Sequence, residues 1–479
     1  LGKRNRLFKK GQQLEIRIKD IAFGGKGIGK IPTDDGEMAA FVQNSLPGQL
    51  VRAKVVKSKR RYIECKTMEV LEHSAQEVET EFQTIPGAPY ASLPLALQED
   101  FKKRTTLELY RRIGHIENVD DLFEEYIESP QPWHYRNKME YSFSEIRHDL
   151  ETGKEADDFG LGFKHRGTWW KVENLDADSG LFDEEFENKL HEIREFLRAT
   201  GLPAWHPPKR EGFFRYLVVR KSFSADQLLV NLVTSAVGLD EFDTDAFAEK
   251  MKDLFGDRLA GIIHTVNTHV GDRVEPNEGN TSVLLGKPKI IEKLNGLEFE
   301  ISMTSFFQTN PKCAEKLYSK VIEYADEKGG SNKYLMDLFC GTGTIGQLLA
   351  KSTGRKVIGV DIVESAIEDA KANAARNGVE NLEFHAADVG KFLKEFPEYN
   401  GKISTIVIDP PRAGIAPKSL QKVIEIDADR IVYVSCNPAT QARDAEELIK
   451  AGYEFKKFSL VDQFPHTSHI EAIGVFEKR

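Results

Sequence analysis

The sequence is poor in cysteine and has no long apolar run, no internal repeat and no low-complexity stretch. Its four cysteines, Cys65, Cys313, Cys340 and Cys436, are too few and too scattered for a disulfide scaffold. That pattern fits a reducing cytoplasm. No apolar run reaches the roughly 18 residues of a membrane span, so no membrane role is expected. The basic stretch Leu1 to Lys10 leads into no apolar segment, and no secretory signal is read there. The 40% apolar and 30% charged residues exclude a fibrous or wholly disordered chain. A length of 479 residues suggests about three domains.

What the first 66 residues lack is acid. They carry 16 basic and 6 acidic side chains, a net of +10, which leaves −20 for the rest of the chain. An acidic body with a basic head suits an anionic partner such as nucleic acid. A solvated face on a small β domain is the other reading. Leu14, Ile16 and Ile18 alternate with Glu15, Arg17 and Lys19 at strand period. About five such strands predict an OB-like β-barrel over 1–70. Gly24 to Lys30 fits G-x-x-x-x-G-K, but Ile31 stands where a phosphate-binding loop needs Ser or Thr. It is read as a glycine-rich turn.

Residues 71–295 read as a central α+β domain. Helices are expected over Glu99–Ile113, within a helical segment 97–126 assigned to packing on the catalytic domain, and over Phe182–Leu197. Strands are expected at Tyr135–Phe143, Leu161–Lys164 and Leu228–Val233, and loops at Gly153–Asp158 and Pro207–Pro208. Arg136, Lys138, Lys164 and Arg166 are candidate RNA contacts or simply a solvated face. From 296 to 479 the pattern becomes βαβα, opened by Asn310 as a helix cap before Pro311. This predicts a Rossmann-like domain, with a mostly parallel sheet and helices on both faces. The chain as a whole is expected to be multidomain α/β.

The first strand of that domain ends in Asp337-Leu338-Phe339-Cys340-Gly341-Thr342-Gly343-Thr344-Ile345-Gly346, and Asp361 lies 20 residues beyond Gly341. Glycines let the backbone approach a ligand, and such an acid accepts hydrogen bonds from ribose hydroxyls. The motif alone fits NAD as well. Asp337, four residues before the glycines, favours S-adenosylmethionine, because a carboxylate meets an ammonium there but repels a pyrophosphate. Asp409-Pro410-Pro411-Arg412 ends another strand with an acid on a rigid loop, which is a ligand position or a helix-cap acid. Cys436 follows the strand Ile431–Ser435 and precedes a helix expected near Thr440. A helix N-terminus favours its thiolate, making it a nucleophile; an inert buried thiol is the alternative. Cys313 and Cys340 are read as structural. His466, His469 and Glu471 have weak metal spacing. Glu471, before the apolar run Ala472 to Phe476, reads as a base lifted by partial burial.

Taken together, Ser305–Asn310, Asp337–Gly346, Asp409–Gly414, Val434–Pro438 and His466–Glu471 resemble the motif set of the RNA uracil-5-methyltransferase family, in the same order over nearly the whole chain. The basic head resembles that family's TRAM domain, and the nearest likeness is to the bacterial 23S ribosomal RNA members. The resemblance implies an enzyme that methylates uracil C5 in ribosomal RNA, or in transfer RNA, using S-adenosylmethionine. Cys436 would add to C6 and Glu471 would remove the C5 proton. Gln308, Phe339, Asp361 and Asp409 would line the cofactor pocket, with Asp337, Gly341, Gly343, Thr344 and Asp388 completing it. Arg412 and Gln308 would touch the RNA. The target base is expected to be flipped out, since the thiol must reach the C6 face.

Many ribosomal members hold an iron–sulfur cluster on four cysteines. The matching stretches, Ile85–Leu93 and Val172–Asp176, contain none, so no cluster and no other metal is expected. Tyr90 and Leu93 are expected to pack in its place. No obligate protein partner is read. An NAD-dependent oxidoreductase and a non-catalytic RNA-binding protein remain as other classes; Asp337, the Asp409 loop, Cys436 and Glu471 argue against both.

Overall fold

The computed structural model describes residues 7–34, 36–150, 152–269, 271, 280–327 and 333–479. The basic residues 1–6 lie outside this set. Strands Gln13–Ala22, Lys26–Thr33, Gly36–Gln43, Leu50–Ser58 and Tyr62–Glu72 close into a barrel, the last two exchanging places in spatial order. Alternation puts Ile16, Ile18, Ala40, Val42, Val51, Ala53, Ile63 and Cys65 inside. The glycine run turns into a strand at Lys26 rather than a helix, which removes the phosphate-loop alternative.

The linker after the barrel ends in the helix Leu95–Arg112. The helix expected over 97–126 therefore stops early. After it come a short helix, Val119–Leu122, and a strand, Phe123–Ile127. The central domain is a seven-stranded sheet in the order Asn280–Gly286, Leu259–Val266, Gln227–Thr234, Phe214–Ser222, Lys138–His148, Glu155–Lys164, Val172–Asn174. Glu155 to Asp157, expected in a loop, pairs with the strand Lys138–His148. The single helix expected over Phe182–Leu197 is two, Glu184–Asn188 and Leu190–Ala199, parted at Lys189. Leu217, Val219, Leu228 and Val230 face these helices and Thr244–Phe255. Tyr216, Val218, Leu229 and Val233 face the other way, onto the hairpin Lys289–Leu294/Leu297–Ser302 and the catalytic domain. The expected boundary at 295/296 falls in the two-residue turn of that hairpin.

The C-terminal sheet has eight strands in the order Leu382–Ala386, Val357–Asp361, Tyr334–Leu338, Ile403–Ile408, Arg430–Ser435, Glu471–Lys478, Tyr453–Val461, Phe123–Ile127. Only the pairings of Glu471–Lys478 are antiparallel. Strand order reverses between Tyr334–Leu338 and Ile403–Ile408, which opens a crevice at their carboxyl ends. The helix Pro311–Asp326 starts with the Asn310 side chain accepting from the Cys313 N–H at 3.1 Å. No described helix is long and apolar enough to cross a membrane.

Candidate active site

The crevice is walled by the loop after Tyr334–Leu338. Phe339, Gly341 and Gly343 all have positive φ, so the chain reverses within five residues. At Gly343 this geometry needs glycine twice over, because a Cβ there would sit 2.4 Å from the Phe384 ring. Thr344 begins the helix Thr344–Thr353. Asp337 is fully buried. Its Oδ2 accepts from the Gly346 N–H at 2.8 Å, while its Oδ1 has no hydrogen-bond partner. Burial, with Asp409 and Asp361 nearby, drives its pKa well above the carboxylate range. The orphaned oxygen suits a cationic donor such as an α-ammonium. Asp361 ends the neighbouring strand. Its two oxygens hold the Gly341 and Val363 N–H groups at 3.0 and 2.9 Å. That fixes the carboxylate at the rim and keeps lone pairs for ribose hydroxyls. Space beside Gly341 is open to 4 Å. These features fit an S-adenosylmethionine-sized ligand. Asp388 is half-buried in the loop after Leu382–Ala386.

Across the switch point lie the thiol and two acids. Ser435 pairs with Ala472 in antiparallel register, so the next step places Cys436 opposite Glu471. Glu471 is 2% exposed, and burial plus Asp409 raises its pKa well above the ordinary value. Burial lifts Asp409 to about 7. Cys436 is half-buried and pushed up to about 11 by burial, Glu471 and Asp409, with Arg412 pulling the other way. The expectation of a favoured thiolate is therefore overturned for the unliganded protein. Desolvation and two acids outweigh the N-terminus of the helix, which starts at Pro438. The Asn437 side chain donates to the Arg412 carbonyl at 3.1 Å, tying the thiol loop to the Asp409 loop.

Gln308 is buried; its main-chain carbonyl accepts from the Asn137 side chain at 3.0 Å, and its side-chain amide meets the Tyr318 hydroxyl. Tyr318, which has no signature in the sequence, lies within the field of Asp409, Glu471 and Asp337. It sits on the buried face of a helix, where an aromatic residue reads as core. Arg412 is exposed, with Nη2 3.2 Å from His469 Nδ1. Burial, with Arg412 next, drives His469 down to about 4. His466 instead stacks on Trp133 at 3.5 Å between ring centroids, with Nδ1 3.1 Å from the Gln98 amide. The two histidines face different partners, so they do not converge with Glu471 as metal ligands. Cys313 is buried on its helix and Cys340 lies in the glycine loop. Tyr90 and Leu93 are buried with Ile21, Leu46 and Phe101. Of the central-domain bases, Arg166 donates to the Pro86 carbonyl at 2.7 Å and Lys138 pairs with Glu140 at 2.9 Å.

Fold and site together define an α/β enzyme whose cofactor crevice opens onto a thiol–carboxyl centre. Comparison with known proteins agrees. Residues 289–479 match the tRNA (Uracil-5-)-methyltransferase family model and residues 7–66 the TRAM domain. The chain is similar to proteins described as uncharacterized RNA methyltransferases. One, from Clostridium tetani, is 36% identical and covers 97% of each chain. Another, from Caldanaerobacter subterraneus, is 39% identical and covers 98% of this chain and 99% of the relative. Among solved structures it is similar to the Pyrococcus abyssi tRNA (uracil-54, C5)-methyltransferase in complex with S-adenosyl-L-homocysteine, at 26% identity and TM-score 0.69 over 97% of this chain and 100% of that one. The chain belongs to the S-adenosylmethionine-dependent RNA (uracil-5-)-methyltransferase family.

Proposed function

We propose that this protein makes 5-methyluridine in 23S ribosomal RNA through a covalent Cys436–uracil adduct. The observation that carries the chemistry is the register that sets Cys436 opposite Glu471, beside Asp409. Bound S-adenosylmethionine supplies a methyl group on a positively charged sulfur, which makes that carbon electrophilic. Asp337 Oδ1 would hold the ammonium of the methionine portion, and Asp361 the ribose. Gln308, Phe339 and Asp409 would line the pocket, with Gly341, Gly343, Thr344 and Asp388 shaping it.

The uracil ring is a poor carbon nucleophile until a group adds at C6. Cys436 loses its thiol proton to Asp409, which leaves Glu471 unprotonated, and its Sγ adds to C6. The ring electrons move to C5 and the O4 enolate. C5 would then take the methyl group, with the methyl–sulfur bond breaking and its electron pair left on the donor as a neutral thioether. Glu471 removes the C5 proton, the electrons reform the C5–C6 double bond, and the Cys436–C6 bond breaks. The raised pKa of Glu471 suits a base that must capture a carbon-bound proton. Arg412, at the mouth, would meet the enolate oxygen or a phosphate.

Transfer RNA is the second reading, favoured by the activity named for the Pyrococcus abyssi relative. Incubation with methyl-labelled S-adenosylmethionine and separate unmodified ribosomal and transfer RNA pools decides between them. Labelled 5-methyluridine in ribosomal RNA is the expected result. Label only in transfer RNA keeps the chemistry and overturns the substrate. Cys436→Ala is expected to give no detectable turnover while RNA and cofactor binding persist; retained turnover removes the thiol from the reaction.

A further inference from the structure

The glycine run of the basic barrel does more than turn the chain. Its turn, Phe23-Gly24-Gly25, leaves the barrel and reaches the catalytic domain. Phe23 packs against the core that contains Ile470 and Ala472, the two neighbours of Glu471. Gly25 lies so close to the loop before Glu471 that a Cβ there would sit 2.9 Å from Ser468 Cβ and 3.1 Å from its Oγ, with the Tyr90 hydroxyl at 3.3 Å. Gly24, one residue earlier, has open space to 4 Å.

The same loop is gripped from its other sides. The Gln98 Oε1 accepts from the His466 N–H at 2.8 Å, and the Tyr90 N–H donates to the His466 carbonyl at 2.9 Å. Lys102, one helical turn beyond Gln98, donates to Asp462 Oδ1 at 2.6 Å and to the Phe464 carbonyl at 3.1 Å. The Tyr135 hydroxyl donates to the Pro465 carbonyl at 3.0 Å. The barrel itself is fixed to that helix by Arg104, which donates to both Asp20 carboxylate oxygens at 2.7 and 3.1 Å. His466 adopts a left-handed conformation, φ 63°, which surrounding contacts must impose. Asp462, Phe464, Pro465 and His466 are thus each held by a side chain or backbone group, and Gly25 meets the same loop at Ser468.

We propose that Gly25 is a positioning residue for the methylation centre: pressed on Ser468, it sets the main-chain path that delivers Glu471 to the bound uracil. The barrel is then part of the active-site frame as well as a basic head. This rests on Glu471 acting as the base. Gly25 must be glycine because both its left-handed φ and the contact distance exclude a side chain.

Gly24→Ala and Gly25→Ala make a matched pair, since the two φ values are +82° and +83° and both alanines are placed in the left-handed region. Only the alanine at 25 meets Ser468. Gly25→Ala is expected to lower kcat by roughly 10- to 100-fold, as small misplacements of reacting groups do, with KM for RNA and donor within about twofold. The methylated enzyme–RNA adduct should accumulate on denaturing gels, because proton removal and release of Cys436 come after methyl transfer. Gly24→Ala should keep the wild-type kcat. Ser468→Gly in the Gly25→Ala background removes the two nearest clashing atoms, leaving the Tyr90 hydroxyl at 3.3 Å, and should restore most of the rate. Ser468→Thr, which crowds the same contact from the other side, should reproduce the kcat loss and serves if Gly25→Ala does not fold. Equal kcat for the two alanine variants, or no recovery with Ser468→Gly, overturns the proposal. A Glu471→Gln enzyme with normal turnover overturns the base assignment and this proposal with it. The two failures are distinguishable, because the first leaves Glu471→Gln inactive.

Discussion

Cys436, Asp409 and Glu471 occupy one poorly solvated corner, where burial and both acids make ionisation of the thiol harder and Asp409 does the same to Glu471. Arg412 is the cation that offsets this at the thiol. Arg412→Ala should therefore raise the thiol pKa further and slow its alkylation at pH 8, by about threefold for a rise of about 0.5. Iodoacetamide labelling of Cys436, followed by mass spectrometry, measures this, and unchanged labelling would break the link. For Asp409, the folded pKa of about 7 lies above the ordinary value of 3.8. The native state therefore binds this proton more tightly than the unfolded chain does. Its favourable contribution is complete below the ordinary carboxylate range and disappears as pH rises to about 7. Asp409→Asn cannot ionise, so its melting temperature relative to wild type should climb across that window and level off above it. Calorimetry of the unliganded proteins at pH 4, 6 and 8 reads the difference.

At the scale of elements, the buried Lys102–Asp462 pair joins the helix Leu95–Arg112 to the loop that precedes Glu471. Desolvation is the main influence on Lys102 and pulls its pKa down, with Asp462 opposing. Lys102→Met strands a buried carboxylate and should cost about 3–5 kcal/mol in urea unfolding. Adding Asp462→Asn should recover most of that loss; no recovery would mean that packing, not charge, holds the joint. The catalytic βα alternation, the Asn310 cap and the five-stranded head were legible in the sequence because local periodicity and capping chemistry encode them. The strand Phe123–Ile127 was not. Its adjacent acids Glu124 and Glu125 read as helix surface, and only pairing with Tyr453–Val461 makes it a strand. Lys320 and Lys457, distant in sequence, supply the compensating charge. The candidate site residues were legible as strand-end motifs, but the raised thiol pKa was not, since it comes from groups brought together by the register of distant strands.

At the scale of the whole molecule, net positive charge is concentrated in the first 66 residues, +10 against −20 for the rest. Lys59, Arg60 and Arg61 project from the turn between the last two barrel strands and are exposed. RNA affinity of the full chain should fall steeply with salt. Replacing these three by alanine should flatten the log–log slope by about 0.7–0.9 for each phosphate that is no longer neutralised. An unchanged slope would place the RNA elsewhere.

The strand Phe123–Ile127 also bears on how the protein is made. It leaves the ribosome about 330 residues before its partner around Phe458, and at ordinary synthesis rates it waits many seconds. Glu471 starts the strand that lies between that partner and the thiol strand Arg430–Ser435. Cys436, its opposing carboxyl Glu471 and the outer edge of the sheet thus come together only once Glu471–Lys478 is free to pair. A nascent chain completes the five barrel strands long before Cys436 and Glu471 can face each other.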